Sequence, residues 1–145
     1  MSLVEFLIDN GINPNIKDKK GNTPLNNSAF FDSNYNTARY LISNGGVVDL
    51  PNDFGISPLY RSANAPKMTQ LLCENNHDIN IVYKNNGNTP LHEAVRRFNI
   101  DVVKILLTYG AKINIKNNDG ETPKKYFKRL HSKKKDRFKE MLSLL

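Results

Sequence analysis

Thr89-Pro90-Leu91-His92-Glu93-Ala94-Val95 decides how this chain is read. A threonine can accept a hydrogen bond from a backbone N–H two or three residues on, which starts a helix. A proline immediately after it suits the first helical position, where no N–H is needed. Leu91, Ala94 and Val95 then fall at i, i+3 and i+4, the apolar stripe of a short helix. Ahead of this stretch Gly87 marks a turn. Behind it Ile100, Val103, Ile105, Leu106 and Leu107 lay out a second apolar stripe, and Gly110 stops that helix as a left-handed C′ residue.

The same unit recurs in both directions. Gly87-Asn88-Thr89-Pro90-Leu91 is preceded by Gly55-Ile56-Ser57-Pro58-Leu59 and Gly21-Asn22-Thr23-Pro24-Leu25, and followed by Gly120-Glu121-Thr122-Pro123-Lys124, with the glycines 34, 32 and 33 residues apart. A second marker keeps the same period: Leu7-Ile8-Asp9-Asn10-Gly11, Leu41-Ile42-Ser43-Asn44-Gly45, Leu72-Cys73-Glu74-Asn75-Asn76 and Leu106-Leu107-Thr108-Tyr109-Gly110. Asn76 takes the glycine slot in its copy, as asparagine tolerates the left-handed region. A turn and two short helices cannot bury their apolar faces alone, but stacked copies can. Ser28, Ala29, Ser62, Ala63 and Ala94 are small enough to let the first helices approach closely.

These residues resemble the ankyrin repeat, a family with a period of about 33 residues and a Thr-Pro-Leu-His-x-Ala signature. Thr89–Ala94 matches that signature in full, and Gly110-Ala111-Lys112-Ile113-Asn114 is close to the family's Gly-Ala-Asp-Val-Asn. The resemblance covers residues 3–145. It implies an all-α repeat solenoid of helix-turn-helix units joined by β-hairpin fingers, with about three full repeats. The expected divisions are a half repeat at 1–17, repeats at 18–51, 52–83 and 84–116, and an atypical, basic C-terminal capping repeat at 117–145.

Departures from the pattern carry structural expectations. Thr23 to Gly45 is one residue longer than Thr89 to Gly110, placing an extra residue near Asp32–Thr37. Ser57 to Asn76 is two shorter, so Pro66 is expected to start the second helix directly. Tyr83 is read as an insertion in the finger before Gly87. Asn26 and Tyr60 stand where the family has histidine, which leaves open what bonds hold those fingers. Ser2-Leu3-Val4-Glu5 fits a capping box for a helix over 3–10 that has no first helix before it. Missing upstream repeats, fraying or self-association would each account for its apolar side. At the other end Lys124 replaces leucine, Tyr126 and Phe127 replace small residues, and Phe138, Met141, Leu142 and Leu145 share one helical face.

Composition narrows the function. Hydrophobic residues make up 39% and charged residues 24% of the 145, which suits one folded domain. No apolar run is long enough to span a bilayer, and Met1 to Asp9 lacks the basic start of a signal peptide. Heavy use of Asn, Lys and Ile without Trp fits an AT-rich genome, such as that of a virus, an intracellular bacterium or a protist. An intracellular location, cytoplasmic or nuclear, is expected, within a host cell for some of those sources. Residues 1–121 hold twelve Lys/Arg and twelve Asp/Glu, so the net charge of +7 belongs to the last 24 residues. There Lys124, Lys125, Lys128, Arg129, Lys133, Lys134, Lys135, Arg137 and Lys139 face only Asp136 and Glu140. This basic tail reads as a solvated face, an import signal, or a contact for nucleic acid or an acidic partner.

Catalysis, metal and cofactors find no pattern. Cys73 is the single cysteine and is expected to pack as a small apolar residue. His77, His92 and His131 are scattered, and His92 belongs to the repeat motif, where the resemblance implies that it holds the finger. The family resemblance instead implies a non-enzymatic protein-interaction module whose partner lies on a concave face made by the first helices and the fingers. It places finger tips at Lys17–Lys20, Pro51–Phe54, Val82–Asn86 and Lys116–Asp119, and variable positions at Phe30, Phe31, Asn64, Ala65, Arg96 and Arg97. Because aromatic and arginine side chains anchor interfaces, Phe30, Phe31, Arg96 and Arg97 are the first candidates, with Phe54 and Tyr83 next. Against this, one of Phe30 and Phe31 is expected in the core after Leu25 and Ala29, Arg96-Arg97 also reads as a solvated face, and Phe54 as a cover for its turn. A nuclear or nucleic-acid-associated protein acting through its basic tail is the alternative.

Overall fold

The computed structural model describes residues 2–75, 78–131 and 138–145. Its helices are α1 Leu3–Asp9, α2 Pro24–Ser28, α3 Tyr35–Ser43, α4 Pro58–Arg61, α5 Pro66–Asn75, α6 Pro90–Arg96, α7 Ile100–Thr108, α8 Pro123–His131 and α9 Phe138–Leu144, with a 3-10 turn at Asp32–Asn34. The first helices α2, α4, α6 and α8 stack in one row, and α1, α3, α5, α7 and α9 stack in a second row behind it. Asn76, expected to end its helix, and His77 lie outside the described residues, as do Lys133, Lys134, Lys135, Asp136 and Arg137.

Each first helix begins as its sequence dictates. The hydroxyls of Thr23, Ser57 and Thr89 accept from the N–H of Asn26, Tyr60 and His92, with proline at the first turn. The helices are only four to seven residues long in α2, α4 and α6, too short to persist alone. Packing holds them. Leu25, Leu59 and Leu91 are essentially fully buried, as are Leu41, Leu72 and Leu106 behind them, each contributing about 2 kcal/mol. Cys73 joins this core, where burial pushes its thiol up to about 12.

The fingers are simpler than strand-paired hairpins. Among the described residues there is no strand. Each finger is a turn closed by two backbone bonds: the N–H of Asp18, Asn52, Tyr83 and Asn117 donates to the carbonyl of Asn22, Ile56, Asn88 and Glu121, and the N–H of Gly21, Gly55, Gly87 and Gly120 donates back to the carbonyl of Asp18, Asn52, Tyr83 and Asn117. Neighbouring fingers touch through Asp53 N–H to Lys20 O and Asn118 N–H to Asn86 O, and these single bonds do not extend into a ladder. Gly21 sits at φ 74, and a Cβ there would lie 2.7 Å from the backbone nitrogen of Asp53, so the close stacking requires glycine. Tyr83 is not itself the inserted residue. It occupies the position of Asp18, Asn52 and Asn117, and the additional residue lies between it and Asn86.

Two irregular repeats compensate each other. The longer first connection forms the 3-10 turn at Asp32–Asn34, and the carboxylate of Asp32 accepts the N–H of Met68, 2.8 Å away in α5. The clipped second connection, with Pro66 starting α5, thus obtains its cap from the preceding repeat. Lateral bonds also tie repeats together: Asn15 accepts from Val47 N–H and donates to Gly45 O, and Asn80 accepts from Lys112 N–H.

The ends differ. α1 forms with the expected Ser2/Glu5 capping box, packs Val4 and Ile8 inward, and receives a bond from the Tyr40 hydroxyl on Asp9. Its Leu3 remains 73% exposed, with Phe6 and Leu7 also open. At the far end Tyr126, Phe127 and Met141 are buried, Leu142 and Leu145 pack against the core, and Lys104 pairs with Glu140 across α7 and α9 at 3.1 Å.

Candidate partner-binding face

The inner row presents two columns of side chains. Counting three residues on from each helix-starting proline gives Asn27, Arg61, Glu93 and Tyr126, and three further gives Phe30, Asn64, Arg96 and Arg129. Glu93 and Arg96 in α6, and Tyr126 and Arg129 in α8, lie side by side on one helix, whereas Phe30 and Asn64 follow the ends of α2 and α4. Arg61 lies with its guanidinium carbon 4.6 Å from the Phe30 ring centroid, and Arg129 sits 5.1 Å from that of Tyr126.

The first half of this face is open. Phe30 is 41% and Phe31 64% exposed, with their ring centroids 6.0 Å apart. The expectation that one of them enters the core is corrected: α2 ends at Ser28, so both rings sit beyond the helical register that buries Leu25 and Ala29. Phe54, 48% exposed, stands on the rim of a groove of about 670 Å³ between the first two fingers. Asp18, Lys19, Lys20, Asn22 and Arg61 line that groove with it. Arg61 donates to Asn22 Oδ1 at 2.9 Å and thereby joins the Phe30 pair to the groove.

The second half is organised around a buried carboxylate. Glu93 receives Arg96 at 2.7 and 2.5 Å and Arg97 at 2.8 Å, and its attraction holds the Arg96 guanidinium above its ordinary range. The Tyr60 hydroxyl donates to Glu93 at 3.3 Å, and the ring of Tyr60 packs on Tyr83 at 5.2 Å. Burial, reinforced by the Glu93 charge, raises the Tyr60 phenol. Arg96 and Arg97 are therefore half-exposed but committed to one anion, and Tyr83 is half-buried. Asn64 is exposed, whereas Ala65, expected on the same surface, is buried at the tight turn into α5.

In the basic C-terminal repeat, Arg129 grips Glu121 at 2.8 to 3.1 Å and holds that carboxyl below its ordinary range. Lys124, Lys125 and Lys128 are exposed; Lys133, Lys134 and Lys135 lie outside the described residues. Among the described residues no group of His, Cys, Asp and Glu could hold a metal, and no helix is long and apolar enough to cross a membrane.

Sequence reasoning placed the aromatics but missed Arg61 and Glu93. Their signal was positional: both sit three residues after the proline, one column nearer the fingers than the residues singled out.

Comparison with known proteins places this architecture. The family model described as ankyrin repeats in three copies matches residues 1–83 and again 34–117. ZDHHC13 of Danio rerio, which bears a palmitoyltransferase name, is 36% identical over 135 residues, 91% of this chain and 21% of that protein. An ankyrin repeat protein of Rickettsia felis is 32% identical over 121 residues, 81% of this chain and 39% of its own length. FPV031, an ankyrin repeat protein of fowlpox virus, is 38% identical over 89 residues, 59% of this chain and 26% of its own. The chain thus spans between about an eighth and two fifths of the length of the curated relatives it matches.

Proposed function

This chain belongs to the ankyrin-repeat family, and on that premise we propose that it is a non-enzymatic adaptor that binds another protein across its inner helices and fingers. An ankyrin-repeat array is a protein–protein interaction module. The proposal adds the surface: Phe30, Phe31 and Phe54 as apolar anchors, with Tyr83, Arg96 and Arg97 continuing it around Glu93. What supports this reading is the exposed Phe30–Phe31 pair, stacked by Arg61 beside the groove. Two neighbouring exposed phenylalanines are costly in water unless a partner covers them. An intracellular location fits the single, buried cysteine. The palmitoyltransferase name of one relative attaches to a protein of which this chain matches a fifth, and we assign no transferase step to these residues.

Affinity capture with the chain as bait, followed by mass spectrometry and a titration with the purified partner, tests the proposal. The expected outcome is a partner held at moderate salt whose affinity falls about thirtyfold in Phe30→Ala/Phe31→Ala, the scale of an interface hot spot, and less in Phe54→Ala or Arg96→Ala. Binding that collapses steeply with salt and needs Lys124, Lys125 and Lys128, with the phenylalanines dispensable, would replace this reading by one in which the basic tail meets nucleic acid or an acidic surface.

A further inference from the structure

We propose that the groove between the first two fingers is a receptor for an acidic side chain, an aspartate or glutamate of the partner, captured by Arg61 beside an apolar residue resting on Phe54. This inference rests on the partner-binding reading above and specifies its chemistry.

Arg61 differs from the other arginines of the inner face. Arg96 and Arg97 are neutralised by Glu93, and Arg129 by Glu121. Arg61 forms no ion pair with a carboxylate among the described residues, although Asp18 in the same groove attracts it from farther away. Its Nη2 donates to the neutral carbonyl of Asn22, while its Nε is sealed from solvent and makes no hydrogen bond. The nearest acid in the groove is committed elsewhere: Asp18 accepts from the backbone N–H of Lys20 and Asn22 and from the Asn22 amide. Burial strips part of the hydration from this half-buried cation, and the charge of Asp18, which shares the groove without forming an ion pair, returns only part of it. Burial accordingly lowers the basicity of Arg61. An incoming anion supplies the missing term.

The surroundings fit such a ligand. Phe30 packs against the guanidinium, its ring centroid 4.6 Å from Cζ, and with Nε sealed and Nη2 donating to Asn22 the remaining Nη hydrogens are those left for a carboxylate. Lys19 and Lys20 line the same groove, so three cations face one acid there. Phe54 on the rim supplies an apolar neighbour. A carboxylate is the anion proposed because the side chains of an unmodified partner carry it; Asp18, whose hydrogen bonds hold its pKa at about 2, stays ionised in this groove and lowers its positive charge without cancelling it.

The test uses the full chain and a displayed library of random short peptides. Selected peptides are expected to carry Asp or Glu next to an apolar residue. Changing that acid to its amide should cost about tenfold or more on the native chain and almost nothing further on Arg61→Gln, the coupling expected of a direct charge pair. Lys19→Gln/Lys20→Gln, on an exposed finger, should weaken the same peptides several-fold while leaving the thermal midpoint unchanged. Peptides without an acid, or an amide penalty equal on both chains, would overturn the Arg61 assignment. If such peptides still required Phe30 and Phe54, the binding-face reading would survive its failure. Indifference to Phe30, Phe31, Phe54 and Arg61 alike would sink both. Tighter binding of the phosphoserine version than of the glutamate version would exclude a carboxylate as the groove's preferred anion.

Discussion

His92 joins two repeats through one neutral imidazole. Its Nδ1 accepts the N–H of Thr89 at 3.2 Å, so its Nε2 carries the proton and donates to Glu121 O at 2.9 Å. Asn26 does the same work two repeats earlier, donating to Ile56 O at 2.8 Å. Tyr60 takes the third histidine position and turns to Glu93 instead. Protonating His92 would place a second donor against the Thr89 N–H, and burial already lowers its pKa from 6.5. Below that pH the unfolded chain binds a proton that the folded chain refuses, so stability falls as the solution is acidified through about pH 6.5, by up to about 1.4 kcal/mol per pH unit. His92→Asn, which copies the residue at position 26, is expected to cost about 1 kcal/mol at neutral pH and to flatten the acid slope relative to the native chain. Urea titrations near neutrality and at about pH 5.5 measure both; an unchanged slope would show that another group is responsible.

At the scale of the element, the fingers and the short helices are held by their neighbours. Gly21 and Gly120 share a left-handed φ, 74 and 70, so alanine strains each by about 1 kcal/mol. Only at Gly21 does the added Cβ meet the next finger, at Asp53; around Gly120 there is nothing within 4 Å. Gly21→Ala should therefore destabilise by at least about twice as much as Gly120→Ala, a comparison that thermal melts resolve and that equal losses would contradict. Asp32→Ala removes the cap on α5 and should cost about 1 kcal/mol despite lying in the preceding repeat. Leu59→Ala empties the centre of α4, a helix of four residues, with an expected loss of about 3 kcal/mol.

The whole molecule is a quasi-one-dimensional stack in which each repeat touches mainly the next. Protection against opening should then depend on position along the array rather than on local sequence. Leu3 and Leu7 of α1 correspond in the repeat to Met68 or Val102 and to Leu72 or Leu106, all fully buried. Because no first helix among the described residues covers them, α1 is expected to exchange its amide hydrogens fastest and α5 to α7 slowest. Hydrogen-exchange mass spectrometry reads this directly, and protection of α1 equal to that of α7 would mean that its open face is covered in solution, by a second copy or another partner.

The repeat period, the caps, the burial of Leu25, Leu59 and Leu91, and even the shortened start of α5 at Pro66 were legible from residue order. Helix caps and apolar spacing act within a few residues, and stacking then multiplies the same local rule. The state of the surface was not legible. Whether an arginine is neutralised or left waiting depends on which residues lie beside it along its own helix, across a turn or in the adjoining repeat. Glu93 captures Arg96 and Arg97, and Glu121 captures Arg129, whereas Arg61 bonds to Asn22, packs on Phe30 and feels Asp18 at a distance, with no ion pair among the described residues. The carboxylate pairs lie three, four and eight residues apart, and the surroundings of Arg61 come from residues more than thirty away; at each, charge interactions change steeply with separation and burial. The fold therefore follows from local pattern, while the chemistry of its face is settled only when the repeats are stacked.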